Sequence, residues 1–317
     1  MIRVGIVGYG NLGRSVKKGI DAISDMEVAG IFSRRKLDID LYKPLENINE
    51  YKDQIDLLIL CGSSDKDILS QGPELLKSFN TLDSFDNHAK IKDYFHEMDN
   101  IGKENGNLAL ISTGWDPGLF SLNRIIGQAV LPDGKYFTLW GKGVSQGHSA
   151  AVRSIDGVHD ATQYTIPKPE ILDKIRKDEE FDFDSHKAHL REVYAVVEDG
   201  ADRKIIEEKI KTMPDYFAPY ETFVHFISQE DLDKNHKKMV HGGHVIRRGK
   251  ASGEGNALME FNLDLESNPD FTAAVDIAYA RALYRLAKEG KKGAITVLDV
   301  APKYLSEESY DSLLNLI

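Results

Sequence analysis

Six residues near the start of the chain have the spacing of a phosphate-binding loop. Gly8-Tyr9-Gly10-Asn11-Leu12-Gly13 follows an apolar run and precedes a segment with helical periodicity. In such a loop Gly8 permits the tight turn, Gly10 lets the backbone approach a pyrophosphate, and Gly13 lets the helix pack closely on the strand. The helix N-terminus then offers N–H groups and the positive end of its dipole to the phosphates. We therefore expect Gly8, Tyr9, Gly10, Asn11, Leu12 and Gly13 to bind a dinucleotide.

The residues after the second expected strand indicate which dinucleotide binds. An NAD site places an acidic residue there, which accepts a hydrogen bond from the ribose 2′-hydroxyl. This chain has Ser33-Arg34-Arg35-Lys36 instead. A hydroxyl and two guanidinium groups bind a 2′-phosphate through charge-assisted hydrogen bonds, so we expect NADP, held by Ser33, Arg34 and Arg35. The alternative is a solvated basic turn, which is disfavoured in so acidic a chain.

A small-residue turn follows the apolar run Ile55–Leu60. Cys61, Gly62, Ser63 and Ser64 stand at the carboxyl end of an expected strand, and we expect all four to line the dinucleotide site. We interpret Cys61 as a small packed side chain at the edge of the cofactor and not as a nucleophile.

Two aspartates occupy comparable places farther along. Asp86 follows one expected strand end, and Asp116 lies in the turn Gly114–Gly118 after another. Ligands of a doubly wound sheet bind beyond the carboxyl ends of its strands, so both carboxylates are candidate acceptors for a substrate ammonium group. The alternative for Asp116 is a turn-forming role, which is common for Asp before Pro.

These residues require a parallel sheet to position them. The first 118 residues alternate short apolar runs with longer amphipathic segments, which predicts a Rossmann-type α/β domain with a doubly wound parallel sheet over residues 1–118. The expected strands are Arg3–Val7, Val28–Phe32, Ile55–Leu60, Thr81–Leu82 and Leu108–Ser112, and the expected helices are Leu12–Ile23, Lys66–Phe79 and Ile91–Asn105.

The pattern changes after Gly114, and we expect a second, α+β domain over residues 119–268, built on a mixed, largely antiparallel sheet. Its expected helices are Leu119–Val130 and Asp202–Thr212, and its expected strands are Phe137–Trp140, Ala161–Ile166, Val193–Val197, Glu221–Ile227, Val245–Arg247 and Ala257–Leu265. The acidic tract Lys177–Ser185 is expected to be an exposed loop without a functional role. Residues 269–317, with a helix over Phe271–Glu289 and a strand over Ala294–Leu298, are expected to pack back on the first domain.

Composition excludes several classes of function. The chain has 317 residues, with 51 acidic and 40 basic side chains and a net charge of −11, which argues against binding to nucleic acid or to a membrane surface. The single cysteine forms no intrachain disulfide, and no apolar run approaches the roughly 20 residues of a membrane span, so we expect a cytoplasmic protein. We also expect no metal site, because His241 and His244 lack a third ligand in any recognised spacing.

Motifs distributed along the whole chain resemble those of the meso-diaminopimelate dehydrogenase family. They are Val7 to Ser15 (VGYGNLGRS), 31 to 35 (IFSRR), 86 to 88 (DNH), 112 to 118 (STGWDPG), 145 to 149 (SQGHS), 212 to 217 (TMPDYF), 241 to 246 (HGGHVI) and 268 to 273 (NPDFTA). The resemblance implies NADP-dependent oxidative deamination of the D-centre of meso-2,6-diaminopimelate, in lysine biosynthesis. It also implies a homodimer formed through the second domain.

The resemblance further implies roles for individual residues. Asp86 and Asp116 would bind the amine at the reacting centre, with Trp115 and Trp140 as apolar walls. The distant carboxylate would be bound by Arg191, Thr165 and His241, with Asn268 as an amide partner. Gln146 and Gly147, in a segment suited to close backbone approach, are additional substrate contacts.

Three questions stay open at this point. Hydride loss needs a neutral amine, and either Asp86 or Asp116 is a candidate for the general base. A related NADP-dependent reductase or dehydrogenase that acts on another amino acid or imine is an alternative function. A non-catalytic NADP-binding sensor is another.

Overall fold

The computed structural model describes residues 1–317, apart from the side chain of Asp65. In chain order the elements are β1 Ile2–Val7, α1 Asn11–Ile20, β2 Met26–Ser33, β3 Tyr42–Pro44, β4 Leu57–Leu60, α2 Leu69–Leu76, β5 Thr81–Asp83, α3 Ile91–Asn105, β6 Leu108–Leu110, α4 Leu119–Val130, β7 Lys135–Trp140, β8 Gly143–Val144, α5 Gln146–Arg153, β9 Val158–Pro167, α6 Pro169–Lys177, β10 His189–Val197, α7 Arg203–Lys211, β11 Glu221–Phe226, α8 Gln229–Asn235, β12 His241–Lys250, β13 Asn256–Leu265, α9 Asn268–Lys288, β14 Gly293–Ile295 and α10 Tyr310–Leu314. The chain divides into unit 1, residues Met1–Leu122 and Pro269–Ile317, and unit 2, residues Asn123–Asn268.

Unit 1 is a parallel sheet with the strand order β14-β6-β5-β4-β1-β2-β3. All of its strand pairs are parallel, for example Val4 opposite Val28 and Ile6 opposite Ile59. The strands that follow β1 in sequence, β2 and β3, lie on one side of it, and β4, β5, β6 and β14 lie on the other, as in dinucleotide-binding folds. The prediction of a Rossmann-type α/β fold is confirmed.

Strand β4 shows why these residues form a central strand. Leu57 and Ile59 belong to the apolar cluster that includes Val16 of α1 and Ile277 of α9, whereas Leu58 and Leu60 belong to the cluster on the other face, with Leu76 of α2 and Met98 of α3. All four strand residues are at most 1% exposed. A continuous apolar run buried on both faces is what a sheet covered by helices on each side requires.

Unit 2 contains two sheets. One has the order β11-β10-β9-β8, with only its β10–β11 pair parallel among the described strands, and the other is the antiparallel sheet β13-β12-β7. Each has its own apolar cluster, with Val193 and Ile206 in the first and Leu139 and Ile246 in the second. The prediction of an α+β domain with mixed, largely antiparallel strand pairing is confirmed, and the structure adds that the strands divide into two sheets. Strand periodicity reveals which face is buried, and it carries no information about which strands pair.

Several local predictions also differ from the structure. Strand β3 was not predicted, because its three residues are all half-buried and give no alternation. Gln146 and Gly147, for which no secondary structure is predicted, begin helix α5. Strand β10 begins at His189, four residues earlier than expected, because charged side chains interrupt its apolar pattern.

The acidic tract Lys177–Ser185 is irregular after Lys177, which ends α6, but it is not wholly solvated. Phe181 and Phe183 pack against Phe137 of β7, with ring centroids 6.3 and 5.2 Å apart respectively. The two aromatic side chains attach this loop to the second sheet. Separately, no helix in the described part of the chain is both long and apolar enough to span a membrane.

Candidate functional site

The three glycines of the loop after β1 meet different requirements. Gly8 has a φ of +94°, which disfavours other residues. A Cβ on Gly13 would lie 2.2 Å from the carbonyl oxygen of Gly8, whereas a Cβ on Gly10 would meet no atom within 4 Å. Gly13 is therefore needed for packing inside the protein, and Gly10 leaves space on the outside of the turn. Helix α1 begins at Asn11, and its N-cap residue, Gly10, has no side chain to bond the first N–H groups of the helix.

A cavity of about 370 Å³ opens at this loop. It is lined by Val7, Gly8, Tyr9, Gly10, Phe32, Ser33, Arg34, Arg35, Leu45, Cys61, Gly62, Ser63, Asp67 and Gln71. The structure thus brings together the ends of β1, β2 and β4, which carry most of the residues predicted to bind the dinucleotide. Asn11, Leu12, Gly13 and Ser64 belong to the same segments and do not line the cavity.

The basic end of this cavity contains an acidic residue that the sequence did not suggest. Arg34 Nη2 lies 2.5 Å from Asp67 Oδ1, and Asp67 Oδ2 accepts hydrogen bonds from the backbone N–H and hydroxyl of Ser63 at 3.0 and 3.2 Å. These bonds hold the pKa of Asp67 below its ordinary value. The hydroxyl of Ser33 accepts from the N–H of Arg35 at 3.1 Å. This end of the cavity supplies guanidinium and hydroxyl donors, which suit a phosphate monoester.

Cys61 lies at the wall of the cavity. Its side chain is half-buried, and burial raises the pKa of its thiol well above the ordinary value. A protonated thiol is a poor nucleophile.

Asp86 lies next to the turn that follows β4. Its backbone N–H donates to Ser64 Oγ at 3.2 Å, so a residue predicted to bind substrate and one predicted to bind cofactor are in direct contact. Asp86 is exposed, and Asp116 is half-buried beside Trp115, which is only 7% exposed and packs edge-on against Phe120.

Asp83, at the end of β5, is fully buried and was not identified from the sequence. Its carboxyl group accepts from the N–H of Phe85 at 3.0 Å, from the N–H of Ser112 at 3.1 Å and from the hydroxyl of Tyr94 at 2.8 Å. Burial raises its pKa to about 6. The loops that bear Asp86 and Asp116 are therefore joined beneath the surface.

A second buried carboxyl group, Asp276 of α9, makes a similar connection. It is bonded to the hydroxyls of Ser84 and Thr113 at 2.7 and 2.6 Å. Burial raises its pKa to about 7. The available sequence signal was a lone carboxylate within the apolar helical run Ala273–Ala282.

In unit 2, Arg191 of β10 pairs in register with Thr165 of β9. Its guanidinium is bonded to Thr165 Oγ1 and stacks on Tyr220 with Cζ 3.9 Å from the ring centroid. Arg191 is 7% exposed, its Nε has no hydrogen-bond partner, and no carboxylate pairs with it anywhere in the part of the chain that the structure describes. Burial lowers its pKa.

Three imidazoles surround this region of unit 2. His241 lies close to Gly143, where an added Cβ would be 2.7 Å from the ring, and Gly143 pairs with Thr165. His148 contacts Ser145 Oγ through Nδ1 at 2.7 Å, and burial together with Arg191 lowers its pKa to about 4. His189 accepts from the N–H of Trp140 at 3.0 Å, and burial lowers its pKa as well.

Three of the remaining predicted substrate contacts lie at helix starts, and the fourth lies at the end of a strand. Gln146 and Gly147 are exposed in the first turn of α5, which follows the N-cap Ser145. Asn268 begins α9, and its N–H donates to the carbonyl oxygen of Met239 at 2.8 Å. Trp140, at the end of β7, is 36% exposed.

The histidines of β12 do not converge on a common point. His244 Nδ1 lies 2.9 Å from Glu260 Oε1, and Glu260 also accepts two hydrogen bonds from Arg176. Among the described residues no group of three or more His, Cys, Asp or Glu side chains is arranged to hold a metal ion.

Comparisons with known proteins agree with one another. Residues 114–267 match the model of the diaminopimelic acid dehydrogenase C-terminal domain. The meso-diaminopimelate D-dehydrogenase of Ureibacillus thermosphaericus is 50% identical over 318 residues, which cover 98% of each protein.

Two solved structures extend the comparison. A mutant meso-diaminopimelate dehydrogenase from Clostridium tetani, solved with DAP, is 51% identical with a TM-score of 0.92 and covers 99% of both chains. An engineered D-amino acid dehydrogenase bound to NADP⁺ is 45% identical with a TM-score of 0.83 and covers 99% of this chain and 98% of its own. At this identity over nearly its full length, the chain belongs to the meso-diaminopimelate dehydrogenase family.

Proposed function

We propose that this protein catalyses the reversible NADP-dependent oxidative deamination of the D-centre of meso-2,6-diaminopimelate, giving L-2-amino-6-oxopimelate and ammonia in lysine biosynthesis. The observation that carries the proposal is Arg191, a buried guanidinium that lacks a carboxylate partner within the described chain. The C. tetani relative was solved with DAP, and the engineered relative with NADP⁺.

Arg191 fits the carboxylate at the non-reacting end of this substrate. A buried cation is costly unless an anion and hydrogen bonds compensate for its lost hydration. Thr165 and Tyr220 hold the guanidinium in place, and a substrate carboxylate would supply the missing charge. His148, kept neutral next to Arg191, adds no second positive charge there. We assign His241, Asn268, Gln146 and Gly147 to further contacts with this end.

At the reacting end we assign the substrate ammonium group to Asp86 and Asp116, with Trp115 and Trp140 as apolar walls. Two carboxylates stabilise the ammonium form on binding, and one of them then takes a proton so that the amine becomes neutral. The chemistry that bound NADP⁺ supplies is acceptance of the hydride. Gly8–Gly13, Ser33–Arg35 and Cys61–Ser64 would hold the cofactor.

The two parts of the chain would divide these tasks. We propose that residues 1–118, with 269–317 packed on them, bind the dinucleotide and that residues 119–268 bind substrate and form a homodimer in the cytoplasm. Support for the dimer comes from large apolar side chains of unit 2 that are 38 to 61% exposed: Ile125, Ile126, Val130, Tyr136 and Leu258. Ile126 and Val130 are one turn apart on α4 and therefore share a face, and an exposed apolar face is typical of an interface.

The identity of the substrate can be tested with the stereoisomers of diaminopimelate. Purified protein with NADP⁺ should form NADPH with meso-diaminopimelate and not with the LL isomer, since of these two isomers only the meso form has a D-centre. Absorbance at 340 nm with each stereoisomer and with simple D-amino acids measures this. Faster turnover of another amino acid would favour a related dehydrogenase, and tight NADP binding with no turnover would favour a sensor.

Replacing Asp116 by asparagine should lower kcat about 100-fold, as expected for loss of a group that positions the amine or takes its proton. The KM for NADP should stay near the wild-type value, because Asp116 lies outside the residues lining the cofactor cavity. Steady-state kinetics with both substrates varied would measure the two constants. An unchanged kcat would remove Asp116 from the mechanism.

The double variant Arg34→Ala/Arg35→Ala should raise the KM for NADP roughly tenfold or more, because charge-assisted hydrogen bonds to the 2′-phosphate are lost. The KM for NAD should change much less. Lys36→Ala, a neighbouring loss of positive charge, serves as the control. Equal effects of the double variant on both dinucleotides would show that these arginines do not contact the 2′-phosphate.

The dimer proposal predicts a mass in solution of twice the chain's 35.5 kDa. Ile126→Glu should shift the mass towards the monomer, because it places a charge in the apolar face. Sedimentation analysis measures both species. A wild-type mass of a single chain would refute the dimer.

A further inference from the structure

Two loops of unit 1 are fastened to a single carboxyl group. Asp276 Oδ2 is 2.7 Å from Ser84 Oγ, and Asp276 Oδ1 is 2.6 Å from Thr113 Oγ1. Ser84 is two residues before Asp86, and Thr113 is three residues before Asp116. Each oxygen of Asp276 therefore holds one of the loops that carry the proposed ammonium-binding carboxylates.

Direct bonds between the two loops complete the connection. Both the N–H and the hydroxyl of Thr113 donate to the carbonyl oxygen of Asp83 at 2.9 Å. The carboxyl group of Asp83 accepts the N–H groups of Phe85 and Ser112. The two loops and α9 thus form one buried hydrogen-bonded network, to which α9 contributes the carboxyl group of Asp276.

Attachment of α9 to the fold does not require this carboxyl group. The helix packs through apolar residues such as Ala273, Ile277 and Leu283, and Arg281 forms an ion pair with Asp25. Asp276 itself is 0% exposed and has no cation within ion-pair distance in the described chain. A buried carboxyl group without a cation is less favourable for stability than an apolar side chain of similar size. Its contribution therefore lies in what it holds.

We propose that Asp276 is a positioning residue that fixes the placement of Asp86 relative to Asp116 and so orients the amine of the substrate. The inference rests on the proposed function, in which those two carboxylates bind the ammonium group. Small displacements of reacting groups lower rates steeply, so a fixed spacing between two carboxylates on separate loops favours catalysis. Burial raises the pKa of Asp276, and each of its two oxygens lies within hydrogen-bond distance of one loop hydroxyl.

Two variants at this position separate placement from stability. Asp276→Leu keeps the approximate shape and removes both hydrogen bonds, and it should lower kcat/KM for meso-diaminopimelate about tenfold or more. Its KM for NADP should stay within about twofold of wild type, because Asp276 is not among the residues lining the cofactor cavity. Asp276→Asn should recover most of the activity, since its amide can accept a hydrogen bond from one loop hydroxyl and donate one to the other.

Asp25→Asn is the matched control. It breaks the ion pair that anchors the same helix through Arg281, without touching either loop. It should lower the melting temperature and leave both KM values unchanged. If Asp276→Leu and Asp25→Asn have the same effects on kcat/KM for meso-diaminopimelate and on the KM for NADP, the positioning role is refuted.

If Asp276→Leu does not fold, a second variant tests the same hydrogen bonds from the side of the loops. Ser84→Ala/Thr113→Val removes the two loop hydroxyls and keeps the helix intact, and it should show the same selective loss with meso-diaminopimelate. Unchanged kcat and KM in this variant would refute the inference.

Crystal structures of wild type and the soluble variants give a readout independent of turnover. The distance between the carboxylates of Asp86 and Asp116 should change in Asp276→Leu, or in the hydroxyl double variant, and not in Asp25→Asn. If wild type fails to oxidise meso-diaminopimelate, the proposed function is lost, while this distance still tests the positioning role. An unaltered distance overturns it.

Discussion

The parallel arrangement of the unit 1 sheet is the constraint on which the candidate site depends. Parallel strands place all their carboxyl ends at one edge, so residues far apart in sequence become neighbours there. The loops after β1, β2 and β4 form the cavity of about 370 Å³, and the loops after β5 and β6 carry Asp86 and Asp116. Each of these two groups of loops comes from segments that are far apart in the sequence. The hydrogen bond between Asp86 and Ser64 shows how closely the two sets meet.

The buried charged side chains Arg191 and Asp276 differ in the partners that the protein gives them. Arg191 in unit 2 is held by an aromatic ring and a hydroxyl and has no carboxylate partner in the described chain, which suits a group that receives an anionic ligand. Asp276 in unit 1 is engaged through both oxygens by hydroxyls of the protein, which suits a group that holds structure. Burial lowers the pKa of the first and raises that of the second, because a low-dielectric surrounding disfavours each charged form.

The sequence was most informative where a local pattern has one structural solution. The glycine loop, the alternation of strands and helices before residue 118, and the end of helix α3 just before Gly106 are all predictable, because backbone freedom and periodicity decide them. Pairing between distant strands is not predictable in this way, and the sequence does not show that the strands of unit 2 divide into two sheets. Asp67 and Asp276 were missed for the same reason, since their roles come from partners 33 and more than 160 residues away.

The resemblance contributed what spacing alone does not. Arg191 stands among other charged residues in the sequence, and no pattern marks it as buried. Its stacking on Tyr220 depends on a strand pairing between β10 and β11 that becomes visible only in three dimensions.

The order in which the segments are made has a consequence for how unit 1 is completed. Helix α9 and the edge strand β14 belong to unit 1, yet the ribosome synthesises them after the whole of unit 2. During translation the unit 1 sheet is therefore incomplete until unit 2 has been synthesised. Until then the β6 edge lacks its β14 partner, and the apolar surface that α9 covers is exposed.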